Sequence, residues 1–444
     1  MLEDYEEFSE AQVKMLERFV TNTKSSIFVL RNLPEVIKGA LFSRYSRSSL
    51  GLRSLLLKEF ILNSDETAFE AITASTSSSE DVSQQMMAIK KAQNFYDRIL
   101  DGYGDDSIGE LGGAHLAVEN ISMLAAKAIE DSRIGGSPLE KSTRYIYFDQ
   151  KVKGDYLFYR EPILMTSAYR DLYLSTCNML FDTYAKLTAP LTTFMEARYP
   201  KDPETSKTAH VAAIRAKVLD CLRGLLPAST MTNMGMYGNG RFFEYLLHKL
   251  NCNNLVELQE IGKRAYEELA KVIPSFIRRA EVNHKHNRAF AQFYDAMQSE
   301  LRLITAVNTV KPARYTLPGV RLISYEKEGI YQLAAALLFC RSNRGMAELI
   351  EYCRKLPEEE LGRILDAAVN ARENRRQKSP RALEHVTFTF EILADFGAYR
   401  DLHRHRLLTQ ERQLLSCDYG YYMSPEIEES GLEYDYKKAM DYAQ

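Results

Sequence analysis

Three short segments of this sequence place arginines, hydroxyls and carboxylates close enough to act together. The densest is Asp401-Leu-His-Arg-His-Arg406, in which Arg404 and Arg406 flank His405. A guanidinium is a flat, permanently charged fork that binds phosphates and stacks on planar rings. An imidazole between two such groups can donate to a carbonyl of a planar heterocycle. The segment therefore favours a ligand that carries both phosphate and a flat ring, and a solvated basic helix end is the alternative.

The same segment raises the question of a metal site, because His403 and His405 are two residues apart. On a strand this spacing puts both imidazoles on one face, as in some metal sites, whereas on a helix they diverge by about 200°. Asp395 and Asp401 have no ligand-like spacing, and no further histidine pair follows. We therefore predict no metal.

The second segment, Gly136–Tyr145, is a glycine-containing turn that brings together Glu140, Ser142 and Arg144. Hydroxyls and arginine suit a phosphate, and a carboxylate suits a sugar hydroxyl or a ring N–H. A turn that satisfies its own polar groups is the alternative.

The third segment consists of two short motifs that add two arginines and an amide. These are Arg223-Gly-Leu-Leu-Pro227 and Asn239-Gly-Arg241. Both also fit ordinary helix ends, so each of the three segments is weak evidence by itself.

Composition limits the class of protein. The chain has 444 residues, 45% hydrophobic and 26% charged, with a net charge of −3, so no basic field favours nucleic acid. No apolar run approaches the roughly 18 residues of a membrane span. The N-terminus is acidic where a secretory signal is basic and then apolar. The six cysteines lack CxxC spacing and indicate reduced thiols. We predict a cytoplasmic enzyme with a small-molecule substrate and neither nucleic acid nor membrane as partner.

Helical periodicity dominates the chain. It predicts helices over 9–19, 33–42, 50–61 and 82–101, a loop over 64–81, and a buried helix over 115–129. Helices return over 169–279, with interruptions at 199–203 and 235–240. Strands are predicted over 143–148 and 320–325, while 386–393 fits either a strand or a buried helix.

Two stretches of the chain look like diverged copies of one another. The first runs from Glu110 through an apolar span to 137–145, and the second from Glu384 through an apolar span to 404–406. We therefore predict two domains, 1–300 and 301–444. Chance similarity between short segments is the alternative.

Taken together, these segments resemble the flavin-dependent thymidylate synthases, the ThyX family. The family signature R-H-R-x-x-S-x-N-E-x-S-x-R follows an S/T-x-x-E-H element and precedes R-x-x-L-P and N-x-R. The C-terminal copy has Glu384-His385 and then Arg404-His405-Arg406. The N-terminal copy has Ser107-Ile-Gly-Glu110, the E-x-S-x-R-Y portion at Glu140–Tyr145, and both downstream motifs. Each copy retains what the other has lost.

The resemblance implies a helix-rich α+β fold, in which long helices wrap a mixed sheet, here as two fused repeats. A homodimer of this chain would then mimic the family's tetramer. The implied reaction is reductive methylation of dUMP to dTMP, with FAD as cofactor and with NADPH and methylenetetrahydrofolate as co-substrates. The alternative is an altered family member that binds flavin or nucleotide without synthesising thymidylate.

The resemblance also implies residue roles. The implied flavin-binding residues are Ser107, Glu110, Asn239, Arg241, Glu384, Arg404, His405 and Arg406. The implied dUMP-binding residues are Glu140, Ser142, Arg144 and Arg223. Arg144 and Arg404 are the implied catalytic residues, because arginines beside the pyrimidine stabilise charge that develops on its carbonyls. No cysteine nucleophile is required.

The chain departs from the family pattern at several positions, and Leu139 and Glu411 stand where the two copies of the signature should have asparagine. Asp401 stands where a glutamine is expected, and Tyr245 and Leu250 stand where an asparagine and an arginine are expected. Because the two copies are complementary, we predict one composite site per pair of halves. In that site the C-terminal half holds the flavin and the N-terminal half holds the nucleotide.

Overall fold

The computed structural model describes residues 7–46, 48–62, 109–132, 134–307, 319–374 and 376–444. Ser107, the predicted loop over 64–81 and the predicted helix over 82–101 lie outside these residues.

The chain divides into two compact units. The first consists of Met1–Pro312, Phe396–Leu415 and Met423–Gln444, and the second of Ala313–Asp395 and Ser416–Tyr422. These units differ from the predicted domains 1–300 and 301–444, because two C-terminal segments pack with the N-terminal part of the chain.

Helices make up most of the described secondary structure. The α-helices are α1 (Glu10–Leu16), α2 (Glu35–Tyr45), α3 (Leu52–Leu55), α4 (Met123–Glu130), α5 (Pro162–Met165), α6 (Arg170–Arg198), α7 (Lys207–Leu222), α8 (Gly240–Asn251), α9 (Val256–Leu269), α10 (Pro274–Ile277), α11 (Lys285–Val307), α12 (Gly329–Phe339), α13 (Met346–Arg354), α14 (Glu358–Asp366), α15 (Phe396–Leu402), α16 (Pro425–Glu429) and α17 (Glu433–Ala443). A π-helical turn, Leu56–Ile61, continues α3. The helix-rich α+β class is therefore confirmed.

The first unit contains an antiparallel sheet with the strand order β1-β3-β2. Its strands are β1 (Gly113–Ser122), β2 (Gly136–Glu140) and β3 (Met231–Asn239). Buried and less buried residues alternate along β3, as expected for a strand that packs one face on the core. Strand β2 forms an edge of the sheet, where Pro138 is tolerated.

Tertiary pairing overrides the helical prediction over 115–129. The first half of that stretch is β1, which pairs with β3 from Gly113 onward. The helix α4 begins only after Ser122, whose hydroxyl caps it by accepting from the Ala125 N–H at 2.9 Å. Glu257 on α9 fixes this strand-to-helix junction, because its carboxylate accepts from the Ser122 N–H and hydroxyl, both at 2.6 Å.

Two further predictions near the sheet are wrong. The segment 143–148 is a turn after β2, not a strand, and the Ser142 hydroxyl there accepts from the Arg144 N–H at 3.2 Å. The glycines of 235–240 do not merely interrupt helices, because most of them belong to β3.

The second unit contains β4 (Gly319–Tyr325) and β5 (Phe388–Leu393), which pair antiparallel. The strand over 320–325 is thus confirmed, and 386–393 forms a strand rather than a helix. Helices α12 to α14 pack around Ala334, Ala335 and Leu349. Every pairing between the named strands in the described residues is antiparallel, so the mixed sheet expected from the resemblance is not found among them.

The main core of the first unit lies between its sheet and the surrounding helices. It contains large side chains of α2, α8 and α9, including Ile37, Phe243 and Leu258, packed with Met234 and Met236 of β3. This core packs against β3, and β3 pairs with the edge strand β2. In the described part of the chain, no helix combines the length and apolar character required to cross a bilayer.

Candidate functional site

Helix α15 belongs to the first unit and brings Arg400 against the end of β2. The Arg400 guanidinium donates to Glu140 Oε1 at 2.9 Å and to Thr143 Oγ1 at 3.2 Å. On the other side, Lys127 Nζ of α4 lies 3.0 Å from Glu140 Oε2. Only 3% of the Glu140 side chain is exposed. Glu140, predicted to contact dUMP, is therefore enclosed by two cations of the protein itself.

His403 anchors the same segment to the end of α4. Its Nε2 lies 3.0 Å from Asp131 Oδ1, and its Nδ1 lies 3.6 Å from Glu130 Oε2. Burial opposes the charged imidazole, but the Asp131 and Glu130 carboxylates outweigh it and raise the pKa of His403 above its ordinary value. Burial opposes both carboxylates as well, but His403 and other nearby cations lower their pKa values. All three groups are thus favoured in their charged forms.

Opposite charges are paired within this cluster, and Arg412 Nη2 adds a more exposed cation 3.4 Å from Asp131 Oδ2. Three cations, Lys127, Arg400 and protonated His403, face three anions, Glu130, Asp131 and Glu140. Buried charges persist in proteins when they are paired in this way. We call this set the anchor cluster.

Most of the anchor cluster was not predicted from the sequence, although two of its residues stand in conspicuous sequence positions. Lys127 is the lone cation inside the apolar run that ends at Glu130-Asp131. Arg400 directly precedes the cluster recognised at 401–406. An ionic residue inside an apolar stretch requires a partner, but the sequence does not say which residue supplies it.

A second set of ion pairs joins the predicted nucleotide-binding arginines to α15. Arg144 Nε lies 3.0 Å from Asp220 Oδ2, and Asp220 Oδ1 lies 3.2 Å from Arg223 Nη1. Arg223 Nη1 also donates to Asp401 Oδ2 at 3.0 Å, and Asp401 Oδ1 lies 4.0 Å from Arg404 Nε. We call these five residues the arginine chain. Three cations share two anions, which leaves one net positive charge for an anionic ligand.

The arginine chain combines a partly buried centre with accessible ends. The Arg223 side chain is 17% exposed, whereas that of Arg404 is 58% exposed. An accessible guanidinium retains donors for a phosphate or a ring carbonyl. The structure thus brings Arg144, Arg223 and Arg404 into one connected set of ion pairs.

Four of the predicted flavin-binding residues lie at the opposite end of β2. Arg406 donates to the Gly136 carbonyl at 2.7 Å, and the neighbouring Gly135 carbonyl accepts from the Asn239 N–H at 3.2 Å. The Asn239 side chain caps α8. Next to it, Arg241 forms an exposed ion pair with Glu110 at 2.8 Å.

The remaining predicted site residues have separate locations. His405 is exposed and lines a small, partly open pocket together with Arg406, Glu130 and His403. Glu384 belongs to the second unit, where it forms an exposed ion pair with Arg381 at 3.0 Å.

Comparison with known proteins gives the family. The family model described as "Thymidylate synthase complementing protein" matches residues 56–275 and 321–444. A UPF0159 protein of Chlamydia pneumoniae is 54% identical over 445 residues, covering 100% of this chain and 82% of that protein. A UPF0159 protein of Chlamydia muridarum is 52% identical over 443 residues, with the same two coverages. The UPF0159 protein Ta1429 of Thermoplasma acidophilum is 32% identical over 432 residues, covering 92% of this chain and 79% of its own length. The chain therefore belongs to the thymidylate synthase complementing proteins, the ThyX family of flavin-dependent thymidylate synthases.

Proposed function

We propose that this protein is a flavin-dependent thymidylate synthase. It converts dUMP to dTMP with FAD as cofactor and with NADPH and methylenetetrahydrofolate as co-substrates. One observation carries the proposal: the segment with the R-H-R motif packs in the first unit beside the turn with the E-x-S-x-R-Y motif. This packing supports the proposal that the two incomplete copies of the signature complete one another.

The arginine chain is the proposed nucleotide site. Arg144 and Arg223 would bind the phosphate of dUMP, and the Ser142 hydroxyl on the same turn would add a hydrogen bond. The three arginines and two aspartates of the arginine chain carry one net positive charge, which favours a phosphate monoester. Arg144 and Arg404 would lie beside the pyrimidine, where their guanidinium groups would stabilise negative charge that develops on a ring carbonyl.

The donors at the Gly136 end of β2 fit the phosphates and the ring edge of a flavin. Exposed guanidinium and imidazole groups at Arg406 and His405 are donors suited to a diphosphate. Asn239 and Arg241 would complete the set. The hydride that turns the transferred carbon into a methyl group comes from the reduced flavin when it is bound. The protein's own residues orient the nucleotide against it and neutralise the phosphate.

The test is tritium release from dUMP labelled at the ring carbon that receives the methyl group. The purified chain is incubated with NADPH, methylenetetrahydrofolate and FAD. We expect release that depends on all three, and we expect Arg144→Ala to abolish it. Arg264→Met is the matched control, because Arg264 forms only an exposed pair with Glu260 on α9. Absence of release from the wild-type chain, with flavin and dUMP both bound, would reject the proposal.

A second candidate function is binding of flavin or nucleotide without thymidylate synthesis. The enclosure of Glu140 favours it, because a carboxylate held by Lys127 and Arg400 has less capacity for a ligand. The presence of Asp401 where the family has a glutamine also favours this candidate, because the Asp401 carboxylate neutralises part of the charge on Arg223. This candidate predicts a yellow protein that binds dUMP and releases no tritium.

We also propose that the chain is a fused duplication. In the first half Glu110 precedes β1, α4 and then a polar cluster, and in the second half Glu384 precedes β5, α15 and then a polar cluster. The family model matches the two halves as separate segments, 56–275 and 321–444, which supports the same division. Two such chains would form the homodimer predicted to mimic the family's tetramer.

A further inference from the structure

We propose that Arg400 is a positioning residue of the nucleotide site: by binding Glu140 it fixes Asp401, and Asp401 orients Arg223 and Arg144. This inference rests on the proposed nucleotide binding, and it assigns Glu140 to the scaffold rather than to the substrate.

Arg400 is held by groups from separate parts of the first unit. Its guanidinium contacts Glu140 of β2, Thr143 of the following turn and the Met123 sulfur of α4 at 2.9 Å. Its side chain is only 8% exposed. A planar guanidinium with fixed donors that is held at three points leaves α15 little freedom to rotate.

This restraint passes directly to the neighbouring residue. Consecutive residues on an α-helix project about 100° apart. With Arg400 buried on one side of α15, Asp401 is therefore directed to a different side, where it meets Arg223 at 3.0 Å. If α15 rotated or shifted, this carboxylate would leave Arg223.

Asp401 is one of two carboxylates that share the Arg223 guanidinium. The other, Asp220, lies 3.2 Å from Arg223 Nη1 and also holds Arg144 at 3.0 Å. Without Asp401, Arg223 would keep only its contact with Asp220. Arg223 and Arg144 would then share that single carboxylate, and the orientation of both guanidinium groups would change. The effect of Arg400 on the nucleotide site therefore passes through Asp401, Arg223 and Asp220.

One consequence concerns pairs of substitutions. If Glu140 acts only by holding Arg400, Glu140→Gln and Arg400→Met remove the same restraint. The double variant should then bind dUMP no more weakly than the single variant with the lower dUMP affinity, because the effects of two coupled residues on the free energy of binding do not add. If Glu140 contacted dUMP directly, its loss would add to the loss of Arg400.

The experiment measures dUMP affinity by titration calorimetry. For Arg400→Met we expect a loss on the order of tenfold, which corresponds to about 1.4 kcal/mol. Arg400→Lys keeps a cation beside Glu140 but cannot bridge Glu140 and Thr143 at once. The loss of dUMP affinity should therefore be smaller than in Arg400→Met. Arg264→Met should bind dUMP as the wild type does. If Arg400→Met does not fold, Arg400→Lys carries the test.

A spectroscopic measurement separates positioning from general destabilisation. The side-chain Nε–H signal of Arg223, assigned with Arg223→Lys, should shift in both Arg400 variants and stay unchanged in Arg264→Met. Unchanged dUMP affinity with an unchanged Arg223 signal in folded Arg400→Met would overturn the positioning role and leave the proposed function intact. If the wild-type chain binds no dUMP, the proposed function fails and the positioning role fails with it.

Discussion

His403 is one of the side chains that hold the R-H-R segment in the first unit, and its charge depends on pH. It is buried, and it lies between Glu130 and Asp131, which follow one another at the end of α4. Both carboxylates favour the imidazolium over the neutral ring. Its contribution to stability must therefore depend on pH.

The first prediction concerns this pH dependence. The folded-state pKa of His403 is raised above its reference value of 6.5, so its contribution is complete below that value and is lost as the pH rises through the folded-state pKa. We expect the free energy of unfolding to fall from about pH 6.5 upward more steeply in the wild type than in His403→Gln. Denaturant unfolding across the pH series measures both.

The exposed neighbour His405 supplies the control for this prediction. His405→Gln should keep the wild-type pH profile, because the side chain is exposed. Identical profiles for His403→Gln and the wild type would refute the role of His403 as a charged anchor.

The second prediction concerns Glu140. Glu140→Gln leaves Lys127 and Arg400 without a shared anion, and breaking a buried ion pair in this way costs about 3–5 kcal/mol. Glu391→Gln in the exposed pair with Arg321 should cost about 1 kcal/mol or less. Denaturant unfolding of both variants checks the difference, and equal costs would mean that Glu140 is solvated in solution.

Single residues were predictable from the sequence to different degrees. The R-H-R motif and the E-x-S-x-R-Y motif are local patterns, so Arg144, Arg404 and Arg406 stood out. The partners of Arg400 and His403 lie more than 250 positions away along the chain. No local spacing encodes such a pairing, so only the fold reveals the anchor cluster.

Secondary-structure elements near the site were the hardest to predict. The stretch 115–129 is rich in alanine and apolar residues, which favours a helix, yet its first half pairs with β3. Strand β3 contains glycine and asparagine, which are uncommon in strands. Its alternation of buried side chains, including Met234 and Met236, emerges only once its partners are known. By contrast, Val320–Tyr325 is β-branched and aromatic, and its strand was predicted correctly.

The third prediction tests the packing of β2 at the element scale. A Cβ added at Gly136 would lie 2.4 Å from the Phe242 ring, so Gly136→Ala should force the strand outward and cost about 1–3 kcal/mol. The carbonyl that accepts from Arg406 would move with it. In Gly235→Ala, within β3, the added Cβ meets nothing within 4 Å, so thermal unfolding should show little change. Equal destabilisation of the two variants would contradict this packing.

At the scale of the whole molecule, the sequence did not predict the limits of the compact units. The complementary motifs predict that 404–406 and 140–144 act together, and both segments belong to the first unit. The domain limit near residue 300 followed from sequence similarity alone. The return of Phe396–Leu415 and Met423–Gln444 to the first unit depends on long-range contacts such as Lys186–Asp435 at 2.8 Å.

The fourth prediction concerns assembly. If two fused chains replace the four subunits of the family's tetramer, the particle in solution has about twice the chain mass of 50.9 kDa. Light scattering coupled to size-exclusion chromatography measures this mass directly. A mass of one chain or of four chains would contradict the proposed homodimer.

The most direct test of the composite site compares flavin content and dUMP affinity in two variants of the purified protein. Arg406→Ala should lose the visible absorbance of bound flavin. Arg144→Ala should keep the flavin and lose dUMP affinity, because the proposal assigns Arg406 to the flavin and Arg144 to the nucleotide. If both folded variants lose both ligands equally, or if the wild type carries no flavin after incubation with FAD, the division of labour between the halves is wrong.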